Sequence, residues 1–97
     1  MVVGVMLLRL HIGTSRSLKD KRQVTRSLVA RLGHQFGVSV AEVGELGAWQ
    51  VAQLGIAHVS NEVQQTERVL DAALRYIEEM RPDVEISVDG REVLSVF

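Results

Sequence analysis

The sequence predicts an α+β domain in which two helices cover one face of a four-stranded antiparallel sheet, in the order β-α-β-β-α-β. Three observations carry that expectation. Two stretches, Leu18 to Gln35 and Ser60 to Arg81, repeat apolar side chains every three or four residues, the spacing of one helix face. Four others, opening at Val2, Val38, Trp49 and Val84, are short, apolar and rich in β-branched residues. Ninety-seven residues, 46% of them hydrophobic, match a single domain with one core.

Val2 to Ile12 is long enough for a central strand. Gly4, Met6, Leu8, Leu10 and Ile12 fall on one face, and Val3, Val5, Leu7, Arg9 and His11 on the other. The first set is apolar throughout and should meet the helices. The second is apolar at Val3, Val5 and Leu7, more than a solvated face needs, so these three are expected to contact another copy of the chain. The first helix is opened by Ser17 and Asp20, whose spacing suits a cap on the free backbone N–H groups. Leu18, Val24, Leu28, Val29, Leu32 and Phe36 form its apolar stripe, and Gly37 is well placed to end it.

Val38 to Val43 reads as the second strand. Gly44-Glu45-Leu46-Gly47 turns the chain, and Trp49 to Val59 returns as the third strand, a hairpin partner of the second. Asn61 and Gln64 have the spacing of another cap before the second helix. Its stripe is Val63, Leu70, Ala73, Leu74 and Ile77, with Asp71 and Arg75 an i,i+4 pair on the polar side. Pro82 ends it. In the fourth strand Val84, Ile86 and Val88 alternate with Glu85, Ser87 and Asp89; Asp89-Gly90 then either bends one long strand or starts a terminal hairpin, the bend being preferred. The plan is that of the ferredoxin-like split βαβ fold.

The absence of cysteine excludes disulfides and thiolate metal sites. Met1 to Leu8 lacks a basic leader and a cleavage site, and Arg9 and His11 interrupt the apolar run, so it reads as a strand and not as a signal peptide or membrane span. A cytoplasmic location is the default expectation. Net charge is −1 but unevenly spread: residues 1–50 carry seven Lys or Arg against three acids (+4), and residues 51–97 carry four against nine (−5). Such a chain can offer an anionic partner one surface, and the same asymmetry suits self-association.

Val2-Val3-Gly4-Val5, Arg16-Ser17-Leu18-Lys19-Asp20-Lys21-Arg22, Val38 to Val43, Trp49-Gln50, Leu54-Gly55 and Val59-Ser60-Asn61 together resemble the YlxP-like family of small bacterial proteins. The likeness runs over nearly the whole chain and is most specific in the Ser-Leu-Lys-Asp-Lys-Arg block. It implies a ferredoxin-like fold and an uncharacterised function; the placing of such genes near translation and ribosome-maturation factors implies a ribosome or RNA link.

The candidate site is that same block. Arg16, Lys19, Lys21 and Arg22 put four cations into seven residues at a helix start, where free N–H groups and the dipole also attract anions. Lys19, Arg22 and Arg26 share one flank. Lys21 falls in the apolar stripe, where it either snorkels past the sheet edge or is held for a ligand. Arg16, Ser17, Lys19, Lys21, Arg22 and Arg26 are therefore the candidates for phosphate of RNA or the ribosome; the alternatives are a small anion, an acidic protein, or a merely solvated basic flank.

Base stacking on the sheet is not expected, because the first and third strands carry no aromatic residue after Trp49. Trp49 itself is expected to anchor the core or a subunit interface, alongside Val3, Val5 and Leu7. His11, His34 and His58 lack ligand spacing, so neither a metal nor another cofactor is expected, and no catalytic constellation can be assembled. The expectation is a noncatalytic, homo-oligomeric binding protein; an enzyme assembled across subunits around His11 or His58 is a third alternative.

Overall fold

The computed structural model describes residues 1–97. Strand β1 (Val2–His11) leads to helix α1 (Leu18–Phe36), then strands β2 (Ser39–Gly44) and β3 (Val51–Ser60), helix α2 (Val63–Met80) and strand β4 (Glu85–Ser95). The strands form one antiparallel sheet in the order β2-β3-β1-β4. This is the predicted ferredoxin-like arrangement, with the two helices on one face. The sheet alternation follows the sequence: Val2, Met6, Leu8, Leu10 and Ile12 are buried beneath the helices with Leu28, Leu32, Leu54, Ile56, Leu70 and Ile77. Between the helices, Phe36 and Tyr76 meet edge to face at 5.5 Å.

Both ends of α1 close as local chemistry dictates. The Ser17 Oγ accepts the Asp20 N–H at 3.1 Å, while the Asp20 carboxylate accepts the Arg16 N–H at 2.9 Å. Gly37, at φ 63°, takes the left-handed conformation open to glycine and donates its N–H to the Gly33 carbonyl.

The start of α2 departs from the expectation. Ser60 still pairs with Val2 in the sheet, so the helix begins only at Val63, and Asn61 and Gln64 form no cap. Instead the Ser60 Oγ donates to the Glu62 carbonyl at 2.8 Å and accepts the Glu62 N–H at 3.2 Å, turning the chain between strand and helix. Asp71 and Arg75 do not pair. Asp71 accepts from Arg91 Nη1 at 2.8 Å, while Arg91 Nη2 reaches the Glu67 carboxylate at 2.6 Å and its carbonyl at 3.2 Å. The forked guanidinium thereby ties β4 to α2, a task an i,i+4 partner cannot perform.

Two further details position the surfaces described below. Strand β4 is one bent strand: Gly90 lies opposite Leu7 and Val88 opposite Leu8, so Asp89 is an inserted bulge residue. Helix α2 comes down onto β1 at Gly4, where a Cβ would collide with Thr66 Cγ2 and lie 3.1 Å from Leu70 Cδ1. The same Thr66 holds a buried polar chain, its Oγ1 lying 3.0 Å from His58 Nδ1 and 2.7 Å from Ser60 Oγ. Strand β3 begins at Val51, two residues later than predicted. Gln50 is drawn to the turn after β1, its Nε2 donating to the carbonyls of Gly13 and Ser15.

Candidate functional site

Helix α1 separates the predicted basic residues into two groups. Arg16, Lys19, Arg22 and Arg26 are exposed; within α1, Lys19, Arg22 and Arg26 follow one another three or four residues apart along one flank, and Arg16 extends this basic stripe just before the Ser17 cap. None is within ion-pair distance of a carboxylate; the molecule's ion pairs engage Arg9, Lys21, Arg81 and Arg91. Lys19, Arg22, Gln23 and Arg26 line a shallow depression of about 260 Å³ that no hydrophobic residue borders. A neighbouring groove along β2 adds Thr25, Ala41 and Glu42 beside Arg22 and Arg26.

Lys21 belongs to the other group. Its side chain is 1% exposed, so it neither snorkels nor faces a ligand. Nζ donates to the carbonyls of Glu45 at 2.8 Å and Val51 at 3.2 Å. Glu42 Oε2 lies 2.9 Å away and pairs its charge with the ammonium, while the two carbonyls accept its hydrogen bonds. The ammonium is thus a strut inside the β2–β3 turn. Lysine suits this place because it brings three donors on a flexible stem that can run through an apolar stripe.

Ser17 is likewise occupied. With its hydroxyl on the Asp20 N–H and the Asp20 carboxylate on the Arg16 N–H, the start of α1 supplies its own acceptors and its own negative charge. A discrete anion at the helix terminus would compete with both. The stripe further along the helix faces no such competition.

The second surface is the sheet face opposite the helices. Cross-strand register arranges it in rows: Val59, Val3 and Leu94; then Ser39, Ala57, Val5 and Glu92; then Ala41, Gly55, Leu7 and Gly90. Val3, Val5 and Leu7 therefore form a ridge along β1, with small residues on both sides of its tallest member. A trough of about 740 Å³ crosses this face, lined by Val5, Leu7, Val43, Gly55 and Gly90 among others. No aromatic side chain lies in these rows. Trp49 is not there either, and it is not in the core. It stands in the β2–β3 loop with 58% of its surface exposed, because the loop is pinned by the polar groups of Gln50 and Lys21 and not by the indole.

The rest of this face is polar. Asp89, pushed out by its bulge, accepts from Arg9 Nε at 3.0 Å and Gln53 Nε2 at 3.1 Å, and Glu45 lies 3.9 Å from Arg9. The Gln53 hydrogen bond, then Arg9, hold the Asp89 carboxyl below its ordinary value. This cluster was missed in the sequence because its members are up to eighty residues apart; the Asp-Gly pair was the one local sign. Of the histidines, His11 and His34 are exposed and His58 is buried against Thr66. No group of three or more His, Asp or Glu side chains is gathered to hold a metal ion, and no helix is long and apolar enough to cross a membrane.

Residues 3–89 match the family described as "Protein of unknown function (DUF503)". The chain is 37% identical over 76 residues to the uncharacterized protein YlxP of Bacillus subtilis (strain 168), a match covering 78% of this chain and 82% of that protein. Among solved structures, a de novo designed protein with ferredoxin fold superposes with a TM-score of 0.60 at 14% identity, covering 99% of this chain and 87% of the design. An amidase of the hydantoinase/carbamoylase family from Burkholderia phymatum superposes with a TM-score of 0.59 at 16% identity. There this chain spans 96% of its own length but 30% of the amidase's. At such identities the likeness is one of fold.

Proposed function

The chain belongs to the DUF503 family of proteins of unknown function, and from that premise we propose that it is a noncatalytic binding protein that contacts the phosphates of the ribosome or another structured RNA through α1. The observation that carries this reading is the stripe of Arg16, Lys19, Arg22 and Arg26, four exposed cations without a carboxylate partner. Its helical part, Lys19 to Arg26, rises roughly 10 Å at about 1.5 Å per residue, and Arg16 extends it past the helix start, enough to meet successive phosphates. The contact would fix position and orientation and carry no base sequence, in keeping with a sheet face that offers no aromatic for stacking. The reading carries with it a cytoplasmic location.

The rival, a small anion or an acidic protein held at the start of α1, has less to support it. Asp20 already occupies the electropositive end of the helix, and Lys21 is committed to the β2–β3 turn. An extended polyanion lying along the exposed flank avoids both conflicts.

Co-sedimentation with purified ribosomal subunits over a salt series tests the proposal. Wild type is compared with a variant carrying Arg16→Ala, Lys19→Ala, Arg22→Ala and Arg26→Ala, leaving Lys21 in place so that the fold is kept. Binding that weakens with salt and disappears in the folded variant is the expected result. Binding that survives in the variant, or none at low salt, would overturn it. A melting temperature that rises with inorganic phosphate in wild type and not in the variant would favour the small-anion rival instead.

A further inference from the structure

We propose that the open sheet face is a self-association surface, on which a second copy of this chain seats about a two-fold axis running along the strands between β1 and β3. The argument begins with relief. Leu7 stands between Gly55 on β3 and Gly90 on β4, and Val5 stands beside Ala57. The face is therefore a ridge on β1 next to a short trench over Gly55 and Ala57 of β3, which Val43 of β2 walls at Gly55, and β1 and β3 are the middle pair of the sheet. A two-fold axis along the strands, midway between them, lays each copy's ridge into the other's trench. An axis across the strands would instead set ridge against ridge. The shape is self-complementary in one orientation, as an isologous interface requires.

Width and charge point to the same occupant. Four strands at about 4.8 Å and ten residues at about 3.3 Å give a face of roughly 19 by 33 Å, on the order of 600 Å² per partner before side-chain relief is counted. Doubled, this reaches the roughly 1,200 Å² at which specific interfaces begin. A single helix, at about 10 Å across, would leave half of it uncovered. In the proposed orientation β4 lies over the partner's β2, so Glu92 faces the Ser39 hydroxyl of the other copy and not a second carboxylate.

Sedimentation equilibrium of the whole chain, from low to high micromolar concentration, tests whether the second copy is there. Wild type is expected to be dimeric. Val5→Lys, at a side chain 39% exposed and outside the core, is expected to be monomeric with an unchanged circular dichroism spectrum. Leu7→Ala should weaken the dimer at least tenfold, and Trp49→Ala should leave it intact. A monomeric wild type would leave the face to a different chain and overturn the proposal, as would a dimer indifferent to both Val5→Lys and Leu7→Ala.

The axis is tested separately, using the absence of native cysteine. Ser39→Cys and Glu92→Cys lie on opposite edge strands, about 14 Å apart laterally, while packed sheets are about 10 Å apart. A bis-maleimide of about that reach should join a mixture of the two variants in preference to either alone. Preferential joining of like with like would refute the axis along the strands.

Discussion

Lys21 shows how far a residue's chemistry is set by where its neighbours come from. In sequence it is one of four cations at a helix start; in the fold it is a buried donor to two carbonyls of the β2–β3 turn, with Glu42 beside it. Lys21→Met keeps the apolar stem and deletes the ammonium, leaving the carbonyls and the Glu42 carboxylate without their partner. Breaking such a buried pair costs about 3 kcal/mol or more, to be read from urea unfolding. Adding Glu42→Gln should return part of that loss, since the orphaned charge is then gone.

Asp89 gives the corresponding prediction in pH. Gln53 and Arg9 depress its folded pKa, so its contribution is complete above the unfolded value, about pH 4, and is lost as pH falls through the lower folded value. Thermal melts of wild type and Asp89→Asn should therefore differ near neutrality and converge in acid. A gap that persists or widens at low pH would contradict the assignment.

At the scale of elements, the sequence was most legible where the controlling contact is local. Ser17 with Asp20 and the glycine at position 37 are read within a turn, and the alternation along β1 assigns Val3, Val5 and Leu7 to one face without any knowledge of what covers the other. It was least legible where an element answers to a distant one. Asn61 and Gln64 have the spacing of a cap, yet pairing of Ser60 with Val2 withholds the helix until Val63. Asp71 has a suitable partner four residues on, yet bonds an arginine twenty residues away. Trp49 shows the same limit, since whether an aromatic is buried depends on what else holds its loop.

The docking of α2 on β1 is likewise a long-range matter, and it rests on the missing side chain of Gly4. Gly4→Ala should destabilise by about 1–3 kcal/mol, the usual cost of overpacking a filled core. The methyl of Thr66 is the obstacle and its hydroxyl is the bonded group, so Thr66→Ser should relieve much of that cost while keeping the bond to His58. A double-mutant cycle that shows strict additivity would locate the strain elsewhere.

Over the whole molecule, the sheet divides two surfaces of opposite character. One side carries the helices and, along α1, the basic stripe; the other carries the apolar ridge and the Arg9–Asp89 cluster. Of the nine acids in the second half, four are held in ion pairs, Glu67 and Asp71 with Arg91, Asp83 with Arg81 and Asp89 with Arg9, and none of them reaches the α1 stripe. If four stripe residues each release counterions from phosphate, the logarithm of the RNA association constant should fall with that of salt at a slope of about −3. Replacing Lys19 or Arg22 alone should make that slope shallower by about 1. The fold, the basic flank of α1 and the apolar ridge of β1 could be read from the chain, and the Arg9–Asp89 cluster could not. That Lys21 stands apart from the basic flank was legible too; that it is a buried donor, neither snorkelling nor held for a ligand, was not, because its acceptors lie 24 and 30 residues away.

The buried strut has a consequence for covalent labelling. Lys19 and Lys21 are the chain's two lysines, one in solvent and the other sealed beneath the β2–β3 turn. An acylating reagent meets the first immediately and the second only when the turn lifts from α1, so Lys19 is an internal standard two positions from its reporter. The ratio of their modification rates, followed by mass spectrometry, should measure the opening equilibrium of that turn in the native protein, with no dye or isotope added. Equal rates at the two positions would mean that the turn stands open.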